Sequence, residues 1–99
     1  MKYNFINKDG LIILGQVLFK YEGTKKDVVI PEGITRIHHT AFMGTDITSV
    51  SFPNTLETVG SQVFRECKNL KEVIFPESVK RIGSDVFYGC MLEKVVFPR

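Results

Sequence analysis

The residues able to do covalent or coordination chemistry are few: two cysteines, Cys67 and Cys90, and one histidine pair, His38-His39. Each cysteine stands three residues after a phenylalanine, in Phe64-Arg65-Glu66-Cys67 and Phe87-Tyr88-Gly89-Cys90. Equal offsets put the two thiols in equivalent places, so a disulfide is geometrically conceivable if those places lie next to each other. The simpler reading is a pair of buried free thiols, because free cysteine packs as a small hydrophobe and no secretory signal precedes them. One Cys per unit, without a CxxC, makes a poor zinc site. Adjacent histidines point in different directions, and no carboxylate or thiol recurs beside them at ligand spacing, so His38 and His39 are read as solvated residues. No nucleophile, base and orienting group come together, which leaves no catalytic, metal or cofactor site to assign.

What positions these residues is a repeat. The four prolines, Pro31, Pro53, Pro76 and Pro98, are spaced 22, 23 and 22 apart. Each closes a short apolar run: Val28-Val29-Ile30, Val50-Ser51-Phe52, Val73-Ile74-Phe75 and Val95-Val96-Phe97. Such runs read as short strands, each stopped by a residue that cannot donate a ladder hydrogen bond. Further columns follow: Ile34, Leu56 and Val79; Ile37, Val59 and Ile82; Ala41-Phe42, Val63-Phe64 and Val86-Phe87; Ile47, Leu70 and Leu92. Sustained self-similarity at a fixed period is the signature of a solenoid, whose single coils cannot bury their apolar columns alone.

The pattern Leu70-x-x-Val73-x-Phe75-Pro76-x-x-Val79-x-x-Ile82-Gly83-x-x-Val86-Phe87-x-Gly89-Cys90 resembles the BspA-like leucine-rich repeat. The resemblance covers about residues 28 to 99, and the stretch from Asp9-Gly10-Leu11-Ile12 to Tyr21-Glu22-Gly23 is similar to the segment that commonly precedes a first repeat. His38 departs from the pattern, which has Gly there, as at Gly60 and Gly83. The resemblance implies a curved right-handed solenoid that binds other macromolecules, often proteins at microbial, in particular bacterial, surfaces.

The expected architecture is a mainly β coil with short helical or 3-10 turns. Residues 1 to 27 form an N-terminal capping hairpin, followed by repeats over 28 to 49, 50 to 72 and 73 to 94 and a partial one over 95 to 99. In the hairpin, Tyr3 to Ile6 or Leu11 to Leu14 pairs with Val17 to Tyr21, turning near Asn7-Lys8-Asp9-Gly10 or at Gly15-Gln16; Asp9-Gly10 is the stronger turn signal. Strand alternation puts Leu70, Val73 and Phe75 inside and Lys71, Glu72 and Ile74 outside. Ser84 reads as the N-cap of a helical turn through Val86 and Phe87, with Ser61 and His39 in the same role. Phe42, Phe64 and Phe87 form an aromatic spine, since such stripes are usually core.

Composition narrows the function. The chain has 99 residues and a formal charge of +2, with 43% hydrophobic and 24% charged residues. Basic and acidic side chains are interleaved, which argues against nucleic acid. The apolar run Leu11 to Leu14 is too short for a membrane span, and Asn4, Asn7, Lys8 and Asp9 spoil a signal peptide. As written the chain is expected in the cytoplasm, or at a surface or secreted if it is part of something longer. A protein partner is expected on the open face at Val29, Ser51, Glu72, Ile74, Lys94 and Val96. Leu92, Val95 and Phe97 would form a bare terminal edge suited to a homodimer, because soluble proteins normally cover such edges. A protein-binding module is the favoured class. The alternative is a small mobile-element or phage-type inhibitor that blocks a host enzyme by covering its surface; an enzyme is not expected.

Overall fold

The computed structural model describes residues 5–99, so the Tyr3 end of the first strand expectation lies outside the described residues. The chain opens with three antiparallel strands, β1 (Ile6–Lys8), β2 (Leu11–Leu14) and β3 (Val17–Tyr21). Both candidate turns are used. Lys8 pairs with Leu11 around Asp9-Gly10, whose φ angles of 51° and 84° give the two left-handed residues of a type I′ hairpin. Leu14 pairs with Val17 around Gly15-Gln16, with Gly15 at φ 61°.

From β3 onward the chain coils, and each coil contributes two short strands. One set is β4 (Asp27–Val29), β6 (Ser49–Ser51), β8 (Glu72–Ile74) and β10 (Lys94–Val96); the other is β5 (Arg36–Ile37), β7 (Thr58–Val59) and β9 (Arg81–Ile82). The second set stacks in parallel, with Leu18, Ile37, Val59 and Ile82 in one inward row, and joins the hairpin in a six-stranded sheet ordered β1-β2-β3-β5-β7-β9. Within the first set β4 pairs with β6 and β8 with β10. The stack measures 42 × 29 × 21 Å.

The third side of each coil differs from expectation. No helix forms there among the described residues; the segments around Phe42, Phe64 and Phe87 are successive turns. The reason lies in where the amides go. Every second N–H reaches the next coil: Thr40 to Ser61 O at 3.0 Å, Phe42 to Val63 O at 3.0 Å, and Gly44 to Arg65 O at 2.8 Å. The amides between them close local turns, as Met43 does on Thr40 O. Amides diverted sideways cannot build the i→i−4 ladder of a helix. Thr40, Gln62 and Asp85, at φ between 54° and 61°, set the left-handed step that starts each such segment.

The inward columns pack as their spacing requires. Leu70, Val73 and Phe75 are buried while Lys71, Glu72 and Ile74 are exposed, because alternate residues of a strand face opposite ways. The phenylalanine spine is real and longer than the repeat suggests. Tyr21 extends it above Phe42 (5.5 Å between ring centres), Phe42 stacks on Phe64 (5.5 Å) and Phe64 on Phe87 (5.9 Å). A second stack, Phe52, Phe75 and Phe97, runs beside it at 5.3 and 5.9 Å.

Candidate functional site

His39, Ser61 and Ser84 are not N-caps. They form a polar ladder along the stack: the Ser61 N–H donates to His39 Nδ1 at 2.7 Å, and the Ser84 N–H to Ser61 Oγ at 3.2 Å. With no helix below them there are no helix amides to cap; the His39 and Ser61 side chains accept from the next coil instead, and the Ser84 hydroxyl donates back to Ser61 Oγ at 3.4 Å. The ladder also explains the glycine column. A Cβ at Gly60 would stand 2.7 Å from His39 N, and one at Gly83 would stand 2.5 Å from Ser61 N. At the top of the same column His38 follows the hairpin rather than another coil, and its ring packs against Phe19 at 5.1 Å.

Both thiols are free and turn toward carbonyls of the coil before. Cys67 Sγ donates to Phe42 O at 3.0 Å, and Cys90 Sγ donates to Phe64 O at 2.8 Å. Burial pushes both thiols above the ordinary cysteine range; hydrogen bonding around Thr45 partly opposes it at Cys67, and a backbone bond from Cys67 does so at Cys90. The proton therefore stays on in the fold, which makes poor nucleophiles, since the thiolate is the reactive form. The sign for stability follows. Near neutral pH the folded and unfolded chains both keep these protons; as pH rises past the ordinary thiol value the unfolded chain ionises first, and the fold loses stability. We expect a thiol reagent near neutral pH to modify the half-buried Cys90 before the buried Cys67, both more slowly than in the urea-unfolded chain. Equal, rapid labelling of the two would contradict these positions.

Among the described residues no group of three or more His, Cys, Asp or Glu side chains stands together as a metal site, and no helix is long and apolar enough to cross a membrane. What the structure does display is the surface of the first strand set. In register along it lie Asp27 beside Ser49, Val29 beside Ser51, Glu72 beside Lys94, and Ile74 beside Val96. Val29, Ile74 and Val96 are 71%, 49% and 39% exposed. Asp27 is engaged, its carboxylate accepting from Ser49 Oγ at 2.7 Å and Thr48 Oγ at 3.3 Å. All six residues expected to meet a partner thus share one face. The sequence reading missed the cleft that crosses this face, of about 510 Å³, lined by Ser49, Val50, Ser51, Phe52, Glu72 and Ile74. The 23-residue spacing between Pro53 and Pro76 was its available signal.

At the far end β10 pairs with β8 alone, leaving its other edge without a strand among the described residues. Phe97 is 55% exposed there, while Leu92 and Val95 are half-buried.

Parallel coils of about 22 residues, sharing apolar columns and displaying a short-strand surface, define a β-solenoid repeat protein. A family model described as the BspA type leucine rich repeat region matches residues 3–99 in six copies, and the chain belongs to that family. The match takes in the hairpin, which the proline period leaves out. Repeat regions of this kind are protein-interaction modules, typically non-enzymatic scaffolds. Among solved structures the chain is similar to the T. pallidum leucine rich repeat protein, at 19% identity over 97% of this chain and 69% of that one, with a TM-score of 0.46. A comparison with curated proteins gives no significant match.

Proposed function

We propose that this chain is a protein-binding module acting through the open face around Ile74, and that it self-associates through its terminal edge at Leu92, Val95 and Phe97. The observation carrying the first part is the row of exposed β-branched side chains, Val29, Ile74 and Val96, on a surface otherwise made of Ser, Asp, Glu and Lys. Apolar side chains with short polar neighbours suit a protein surface, where apolar contacts supply affinity and a polar rim supplies register. The second part rests on Phe97: one side stacks on Phe75, and among the described residues the ring is left 55% exposed.

Photo-crosslinking distinguishes the faces. A benzophenone side chain at position 74 is expected to capture a partner that the same group at Arg81, exposed on the six-stranded sheet, does not capture. Capture from both positions, or from position 81 alone, would remove the face assignment. For self-association, sedimentation over a concentration series should show a dimer in the parent chain and a monomer in Phe97→Asp. A parent that stays monomeric throughout would end that part of the proposal.

A further inference from the structure

The open face is not one sheet. Where its strands pair, the same bonds recur. The Lys26 carbonyl accepts from the amides of Thr48 at 2.7 Å and Ser49 at 3.2 Å, and the Lys71 carbonyl accepts from Glu93 at 2.8 Å and Lys94 at 3.2 Å. Ile30 N–H donates to Ser51 O at 2.9 Å and Phe75 N–H to Val96 O at 3.0 Å. At the middle step the equivalent groups are the Thr48 carbonyl and the Phe52 N–H, and no backbone bond joins them to Lys71, Glu72 or Ile74. The cleft lined by Ser49, Ser51, Glu72 and Ile74 lies there instead.

The other two sides of the same coils stay closed. β7 pairs with β9, and Gln62, Phe64 and Glu66 donate to Ser84, Val86 and Tyr88 at 2.9, 3.0 and 2.8 Å. The coils are therefore parted on one side only, like a hinge.

Chain length accounts for the split. Paired strands are 22 residues apart, Asp27 to Ser49 and Glu72 to Lys94, whereas Ser49 and Glu72 are 23 apart. The additional residue falls between two buried anchors: Phe64 and Leu70 are six positions apart, against five for Phe42 to Ile47 and for Phe87 to Leu92. One residue of extended chain spans roughly 3.3 Å, a large fraction of the roughly 4.8 Å between paired strands. With both anchors held in the core, that length is folded into a turn over Lys68-Asn69, closed by the Leu70 N–H on Cys67 O at 3.3 Å, immediately before the chain enters β8.

We infer that the longer second coil is a wedge: the residue pair Lys68-Asn69 holds the open face apart as two two-stranded halves, and the cleft between β6 and β8 is a hinge line along which that face can widen or close. The role of this face in binding rests on the function proposed above; the wedge does not.

Hydrogen exchange of single amides, followed by NMR without any partner, tests it. The amide of Phe52 should exchange about 100-fold faster than those of Ile30 and Phe75, and that of Glu72 about 100-fold faster than those of Ser49 and Lys94, because unpaired amides open without breaking a ladder. Deleting Asn69 should close the middle ladder and bring Phe52 and Glu72 to within tenfold of their counterparts; deleting Lys68 is the second variant should the first not fold. Equal protection of Phe52, Ile30 and Phe75 in the parent chain would overturn the split. A folded deletion variant whose Phe52 and Glu72 stay fast would overturn length as its cause.

Discussion

Replacing Phe64 by alanine is expected to cost ~3–5 kcal/mol of folding stability, the range for removing a buried aromatic ring from a packed core. The ring is fully buried, stacked on Phe42 above and Phe87 below, and touched edge-on by Phe52 at 6.2 Å. It thus joins both aromatic stacks, and its loss opens a void that neither can fill without shearing a coil. Domains of this size have a total stability of about 5–15 kcal/mol, so the variant should unfold at much lower urea than the parent. Phe97→Ala is the comparison, since Phe97 is half exposed and stacks on one side only. A Phe64→Ala midpoint shifted no further than that of Phe97→Ala would show that the spine does not bear on stability.

Gly83→Ala should destabilise by ~1–3 kcal/mol, the usual cost of forcing a methyl into a packed site. The added Cβ would stand 2.5 Å from Ser61 N and 2.7 Å from Gly60 C and Ser61 Cα. These are backbone atoms of the coil before, so no side chain can swing aside; the coils must separate, at the expense of the bonds from Ser84 N–H and Gly83 N–H. His38→Ala, at the head of the same column, should cost less than Gly83→Ala, because a side chain already fits there. Thermal melting of the two variants beside the parent gives the comparison, and a larger loss for His38→Ala would refute the close-approach account.

Much of this architecture can be read from spacing alone. Four prolines at near-constant intervals mark the strand ends, and the columns headed by Ile34, Ile37, Phe42 and Ile47 mark the inward rows. A repeat makes one coil's pattern predict its neighbours', so periodicity reports long-range contacts that a non-repetitive chain of this length would conceal. The exposure of Ile74 and the burial of Val73 follow from alternation along a strand, which is a local property.

Other features depend on contacts between coils, and these the residues determined only through the tertiary structure. Ser84 and Ser61 carry the ordinary signature of N-caps. Stacking decides otherwise, because each coil offers the next a row of carbonyls that competes for the amides a helix would need. The second aromatic stack had a signal in the spacing, since Phe52, Phe75 and Phe97 each stand immediately before a repeat proline, but the contact of ring on ring is made only by stacking the coils. The extra position between Phe64 and Leu70 is visible as a number, 23 against 22. Its consequence is not, because one residue of surplus chain can be absorbed on any of three sides of a coil. The sequence by itself determined the coil, its inward columns and the exposed row Val29, Ile74 and Val96; the tertiary structure alone decided that the row is divided, since the turn side and the β7–β9 side hold their hydrogen bonds and the open face gives way.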